Sequence, residues 1–270
     1  MDPKTVAEIN EVVTAAGTLL RGLAQDPSYR APMEKSDGSP VTKADLEVSA
    51  FLVQNLEKFG YPVVSEEGDL HEGCQTPYFL VDPIDGTKHF VKGSKDYAVL
   101  VAFLENQQPV LGSIYSPAEK RLYWAHKGHG AFLNGQLLDR EAPPAKIRVY
   151  SSGFHKRANR QWLKDAFSMG PILYRGSALK FCDIAEGVAD FFPRFGPTGE
   201  WDTAAAQVIL EESQCALVDM KTGRPMAYGK PGRLNSGLIA CHKSLLDKVV
   251  RVLREYFESV KKEGVLSDEG

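Results

Sequence analysis

The chain has 270 residues, 43% of them hydrophobic, enough to bury one large core or two joined ones. Its formal charge of −3 and pI near 6.1 argue against a protein that tracks a nucleic-acid polymer, because neutralising many phosphates takes a basic surface. No apolar run approaches the roughly 20 residues of a bilayer span, and no basic flank leads into an apolar N-terminal core, so a cytoplasmic chain is expected.

Val6, Ile9, Val13, Ala16, Leu20 and Leu23 fall at helical spacing, with Asp2 and Pro3 suited to a helix start. A second helix is expected over 42–59, where Thr42 and Asp45 have the spacing of a capping box with Asp in place of Glu or Gln. The apolar run 61–65 reads as a strand that ends in Glu66 and Glu67. Adjacent glutamates are usually solvated surface. Here they end a strand about one crossover from Asp82, which would gather carboxylates at one sheet edge, where they repel unless a cation neutralises them.

Residues 78–81 read as a buried strand closed by Asp82. Pro83 removes a ladder donor and bends the chain, so Asp82 and Asp85 can converge, whereas a regular strand would turn them to opposite faces. Gly86 permits a tight backbone and Thr87 offers a hydroxyl, with amides free at a helix start, a place for a phosphate. Asp and Gly also occupy such places in an ordinary turn, and the motif alone leaves both readings open.

Segments 97–104, 110–115, 121–125 and 131–133 then read as a mostly antiparallel sheet. His126 and His129 lie in a Gly-rich stretch better suited to a hairpin turn than to a metal. The EAPPAK stretch at 141–146 is the expected boundary between halves 1–145 and 146–270. Beyond it, strands at 147–151, 172–174 and 216–219 alternate with helices near Arg160, Lys180, Ala204 and Leu245. Asp202 or Thr203 would begin the helix 204–212, a capping role that does not exclude ligation. Cys74, Cys182, Cys215 and Cys241 are scattered without CxxC spacing, so reduced thiols are expected.

SPVTKAD (39–45), SEE (65–67), VDPIDGTKHF (81–90), GSALKFCDIAEGVADFFPRFGPTGEWDTAAA (176–206) and LNSGL (234–238) span most of the chain. In this order they resemble the lithium-sensitive, magnesium-dependent phosphatase superfamily that includes inositol monophosphatases and fructose bisphosphatases. Within it the chain looks most like the bacterial 3'(2'),5'-bisphosphate nucleotidases of sulfur assimilation, which convert 3'-phosphoadenosine 5'-phosphate to AMP and phosphate. The resemblance implies an α+β fold, a layered αβαβα sandwich of the sugar-phosphatase type, with the site between two α/β halves. It also implies Mg²⁺, to which carboxylates and a carbonyl are suited as hard oxygen donors. One ion would be held by Glu66, Asp82 and the Ile84 carbonyl, a second by Asp82, Asp85 and Asp202, and a third, weaker one would lean on Glu66. Two ions roughly 3.5–4 Å apart stabilise both the attacking and the leaving oxygen, so no enzyme nucleophile is required.

By the same resemblance Thr87 orients the attacking water and Asp45 accepts from the threonine hydroxyl, although spacing alone makes Asp45 a helix cap. Glu67 either tunes that water or stands behind the ligands. Gly86, Thr87 and Lys88 are expected substrate contacts. Lys180 stands where inositol phosphatases tend to carry a small or apolar residue, and Arg194 where they tend to carry an acid. Both changes add positive charge, which suits a substrate with a second phosphate, Ser177 adding a hydroxyl contact. The commoner fate of Lys and Arg is an exposed, solvated side chain.

A haloacid-dehalogenase-type phosphatase also carries a DxDGT signature after an apolar strand, but residue 83 is proline, where that mechanism requires its aspartyl nucleophile. A phosphonucleotide sensor without catalysis would be favoured by a lost metal ligand, and none is lost. Sister activities on inositol phosphates or fructose 1,6-bisphosphate are the nearest alternatives. The sulfate-bearing precursor as substrate, and the choice between monomer and homodimer, stay open.

Overall fold

The computed structural model describes residues 1–35, 38–68, 76–151 and 166–262. Helix α1 (Pro3–Leu23) buries Val6, Ile9, Val13, Ala16 and Leu20 along one stripe, and Asp2 caps it by accepting from the Lys4 and Thr5 amides at 3.0 and 3.1 Å. A short hairpin, β1 (Met33–Glu34) and β2 (Pro40–Val41), leads into α2 (Lys43–Leu56), which lies beside α1. A 3₁₀ turn, Glu57–Phe59, extends α2 to the expected end.

Both helices cover one face of a seven-stranded sheet ordered β3 (Val63–Ser65), β4 (Tyr78–Asp85), β5 (Ala98–Glu105), β6 (Gln108–Ser116), β7 (Arg121–His126), β8 (Ala131–Leu133) and β9 (Gln136–Leu137). Only β3 and β4 run parallel in it. The two faces separate along β5. Val99, Val101 and Phe103 join the α1 and α2 cluster, while Ala98, Leu100, Ala102 and Leu104 face the opposite layer. A short helix α3 (Thr87–Val91) follows β4.

The second sheet is five-stranded, ordered β11 (Met169–Leu173), β10 (Ile147–Tyr150), β12 (Phe191–Arg194), β16 (Leu238–His242) and β14 (Cys215–Asp219). Between the sheets lie α4 (Leu179–Glu186) and α5 (Ala204–Glu212), buried in a cluster that draws residues from both sides of the 141–146 stretch. Gly112 lets α5 approach β6 closely, since a Cβ there would run into the Ala205 carbonyl. The last helix, α6 (Leu246–Lys262), places Val249 and Leu253 on the outer face of the second sheet. A two-stranded ladder pairs β13 (Thr198–Gly199) with β15 (Leu234–Asn235). The layers therefore read αβαβα.

Two expectations change. Strand β4 does not close at Asp82 but stays paired with β5 to Asp85, through a bulge. Strands β12 and β16 appear where none was expected; Pro193 within β12 lies in a ladder whose full register runs to β16 rather than to β10. The helix expected near Arg160 lies outside the described residues, as does Cys74. Cys182, Cys215 and Cys241 are buried free thiols. No helix among the described residues is long and apolar enough to cross a membrane.

Candidate active site

The bulge in β4 builds the centre of the site. Asp82 pairs opposite Leu100 and Asp85 opposite Ala98, so three steps on one strand match two on the other, and the extra residue re-aims the second acid. Asp82 is buried and accepts from the Ile84 amide at 3.0 Å. The parallel neighbour β3 ends with the Glu66 amide bonded to the Val81 carbonyl at 3.1 Å, which brings Glu66 level with Asp82. Asp202 arrives from the other half, its Oδ2 accepting from the Thr198 hydroxyl and, at 3.1 Å, from the Gly199 amide. It is not the cap of α5; Thr203 holds that position, with no side-chain cap bond.

One carboxylate oxygen from each of Glu66, Asp82 and Asp202 lies within 4.8 Å of the others. Asp85 stands close enough that its charge and those of Asp82 and Asp202 act on one another. Burial and then this mutual repulsion push Asp82 far above the usual carboxylate range, Glu66 up to about 7 and Asp85 up to about 6, the last opposed by the Ala178 amide and Lys180. Burial also raises Asp202, against its bonds to Thr198 and Gly199. Crowded, partly desolvated carboxylates with only oxygen donors, and no thiolate or imidazole among them, fit a hard divalent cation such as Mg²⁺.

Lys35, to which sequence reasoning gave no role, reaches this cluster from the hairpin. Its Nζ stands 3.0 Å from Glu66 Oε1 and 2.7 Å from Glu67 Oε1. Burial works against its charge, but the two glutamates hold its ammonium well above the ordinary lysine range. Glu67 thus faces a lysine and lies outside the group of three acids.

Asp45 has both of its expected positions at once. Its Oδ2 accepts from the Thr42 amide at 2.7 Å and the Thr42 hydroxyl at 2.5 Å, completing the capping box, while Oδ1 lies 3.2 Å from Thr87 Oγ1. Thr87 Oγ1 is also 3.1 Å from the Ile84 carbonyl oxygen. Gly86 is left-handed at φ 92°, and a Cβ there would lie 2.7 Å from the Asp96 carbonyl oxygen. Lys88 is exposed on α3.

The second half contributes cations. Lys180 Nζ donates to the Arg175 carbonyl at 3.3 Å and sits 5.1 Å over the Phe192 ring. Burial and then the nearby Arg194 charge lower its pKa, against the pull of Asp85. The Arg194 guanidinium donates to the Pro197 carbonyl at 2.8 Å, and its positive charge acts on Asp202. Ser177 Oγ accepts from the Leu179 amide at 3.1 Å, and its side chain also bonds Asp85, helping to oppose the rise in that acid's pKa. Thr87 bonds Asp45, Asp45 and Asp85 act on Asp82, and the charges of Lys180 and Arg194 act on Asp85 and Asp202, so these side chains share one neighbourhood.

The αβαβα layers and a cluster of carboxylates suited to a divalent cation fit a metal-dependent phosphatase. The sequence profile of the inositol monophosphatase family matches residues 2–258, and the chain belongs to that family. It is 37% identical over 210 residues to a 3'(2'),5'-bisphosphate nucleotidase CysQ from Salmonella typhimurium, covering 73% of this chain and 84% of that protein. It is 35% identical over 242 residues to the CysQ of Aggregatibacter actinomycetemcomitans, covering 83% and 87%. Among solved structures, CysQ from Bacteroides thetaiotaomicron superposes with a TM-score of 0.77 at 29% identity, covering 89% of this chain and 97% of that one.

Proposed function

We propose that the protein is a Mg²⁺-dependent 3'(2'),5'-bisphosphate nucleotidase that hydrolyses 3'-phosphoadenosine 5'-phosphate to AMP and phosphate in the cytoplasm, within sulfur assimilation. The observation that carries this reading is the pair Lys180 and Arg194 beside the acid cluster, two cations where a second, uncleaved phosphate would lie. The names borne by its relatives agree.

Glu66, Asp82, Asp85, Asp202 and the Ile84 carbonyl would hold two ions, and Glu66 a third. Bound Mg²⁺ supplies charge to the phosphoryl oxygens and acidifies water for in-line attack. The chain's own residues do the rest. Asp45, fixed through Oδ2 by Thr42, accepts the Thr87 hydroxyl proton through Oδ1, which leaves a Thr87 lone pair to orient the attacking water. Its burial raises its affinity for that proton. Gly86, Thr87 and Lys88 approach the scissile phosphate, and Ser177, Lys180 and Arg194 hold the other. Glu67 keeps Lys35 at the margin of the cluster.

A phosphate-release screen with Mg²⁺ over the bisphosphate, its sulfate-bearing precursor, 3'-AMP, inositol 1-phosphate and fructose 1,6-bisphosphate tests this. The bisphosphate is expected to give the highest kcat/KM. A preference for inositol 1-phosphate would end the nucleotidase reading.

A further inference from the structure

The turn between β11 and α4 carries two atoms on which the proposed reaction depends. The Ala178 amide donates to Asp85 Oδ2, and the Arg175 carbonyl accepts from Lys180 Nζ. One short stretch of backbone therefore touches both a candidate metal ligand and the lysine of the cation pair. The turn does not hold its shape unaided, because Ser177 sits at φ 56°, in the left-handed region that L residues avoid.

The side chain of Arg175 ties that turn down. Its Nη1 donates to Asp183 Oδ1 at 2.6 Å, its Nη2 to Glu119 Oε2 at 2.5 Å, and its Nε lies 3.7 Å from Asp96 Oδ1. Asp183 belongs to α4, Glu119 to the turn between β6 and β7, and Asp96 to the segment before β5, so the guanidinium joins the two halves of the chain. The neighbouring backbone is fixed by the same acids. Asp96 Oδ2 accepts from the Gly176 amide at 3.1 Å, and Asp183 Oδ2 accepts from the Tyr150 hydroxyl. Gly176 itself leaves no space, since a Cβ there would overlap the His89 ring. With three acids around it and 14% of its side chain exposed, Arg175 is committed to protein partners and does not read substrate.

We propose that Arg175 is a positioning residue: its guanidinium, clamped by Asp96, Glu119 and Asp183, sets the 175–178 turn so that Asp85 and Lys180 are held in register with each other. The Lys180 arm rests on the bisphosphate reading; the Asp85 arm rests only on the acid cluster binding Mg²⁺.

The test compares Arg175→Gln, Arg175→Lys and the milder Glu119→Gln, which removes one clamp at the surface. Mg²⁺ is titrated calorimetrically without substrate, and KM is measured for 3'-phosphoadenosine 5'-phosphate and for 3'-AMP at saturating Mg²⁺. Arg175→Gln is expected to weaken Mg²⁺ binding about tenfold, the usual scale for groups that orient ligands, and to raise KM for the bisphosphate more than for 3'-AMP. Arg175→Lys, able to keep part of the clamp, should fall between it and wild type. A scaffold role alone would reduce kcat on both substrates equally through a smaller folded fraction, leaving Mg²⁺ affinity and the ratio of KM values unchanged; that result overturns the proposal. Should Arg175→Gln not fold, Arg175→Lys and Glu119→Gln decide by the same criterion. If the wild type does not turn over the bisphosphate, the substrate reading fails, while the calorimetric comparison still decides the role of Arg175.

Discussion

Asp190 and Asp82 are both buried aspartates, and their surroundings are opposite. Asp190 accepts from Arg140 Nη2 at 2.7 Å and from Arg148 through the amide, Nε and Nη2 at 2.7, 2.9 and 2.8 Å. Burial works to raise its pKa, yet the two arginines hold it below the usual carboxylate range. Asp82 instead faces Glu66, Asp85 and Asp202, and is pushed far above that range. Burial of an acid is therefore not what marks the site. Burial among like charges is, because the fold keeps that arrangement only where an external cation completes it.

The largest effect expected from this contrast is on turnover. Asp82→Asn should reduce phosphate release about a hundred- to a thousandfold, as loss of a group central to transition-state charge does, whereas Asp190→Asn should leave kcat of the folded enzyme near wild type. In stability the order reverses. Asp190→Asn leaves two arginines without their carboxylate and should cost about 3 kcal/mol, read from denaturant unfolding. Near-normal activity in the first variant, or unchanged stability in the second, would contradict the opposite roles of these two aspartates.

Next in size is the specificity pair. Arg194→Ala should raise KM for the bisphosphate about ten- to a hundredfold, the scale of a charge-assisted bond, and barely alter 3'-AMP. Equal losses on both substrates would show that Arg194 supports the site in general.

A pH series tests the same repulsion among the acids. Glu66 at about 7 and Asp85 at about 6 lie above the roughly 4 expected for the unfolded chain. Groups raised in this way favour the folded state at low pH, and that contribution is lost as pH rises through about 6 to 7. Their contribution to the melting temperature of metal-free protein should decline between pH 5 and 8, and Mg²⁺ binding should strengthen over the same range as protons cease to compete. Mg²⁺ affinity independent of pH would contradict the assignment. The smallest effect is Thr42→Ala, which removes the α2 cap and should cost about 1 kcal/mol, measured by thermal unfolding.

Glu66, Asp82 and Asp85 were legible because they follow or lie within short apolar strands with Pro83 and Gly86 beside them, where local geometry carries the information. The α1 stripe, the span of α2 and most strands of the first sheet were also legible from local pattern. Lys35 was not: its partners Glu66 and Glu67 lie 31 and 32 residues away, and a lysine in a polar turn gives no periodic signal. Arg175 was hidden likewise, with Glu119 56 residues distant. The continuation of β4 through Pro83 was missed because the bulge depends on pairing with β5, a tertiary fact. Strand β16 lies in an apolar run, LIACH, whose length cannot by itself separate strand from buried helix.

The like-charged acids gathered at Asp82 call for completion by a cation, here Mg²⁺. Thermal unfolding of wild type and Asp82→Asn at pH 8, each with and without Mg²⁺, tests it most directly. Wild type should gain several degrees with about 100 times the dissociation constant of Mg²⁺, the order set by mass action, while the variant should melt no lower than metal-free wild type and gain almost nothing. An equal Mg²⁺ response in both proteins, or a metal-free variant markedly less stable than metal-free wild type, would contradict the account.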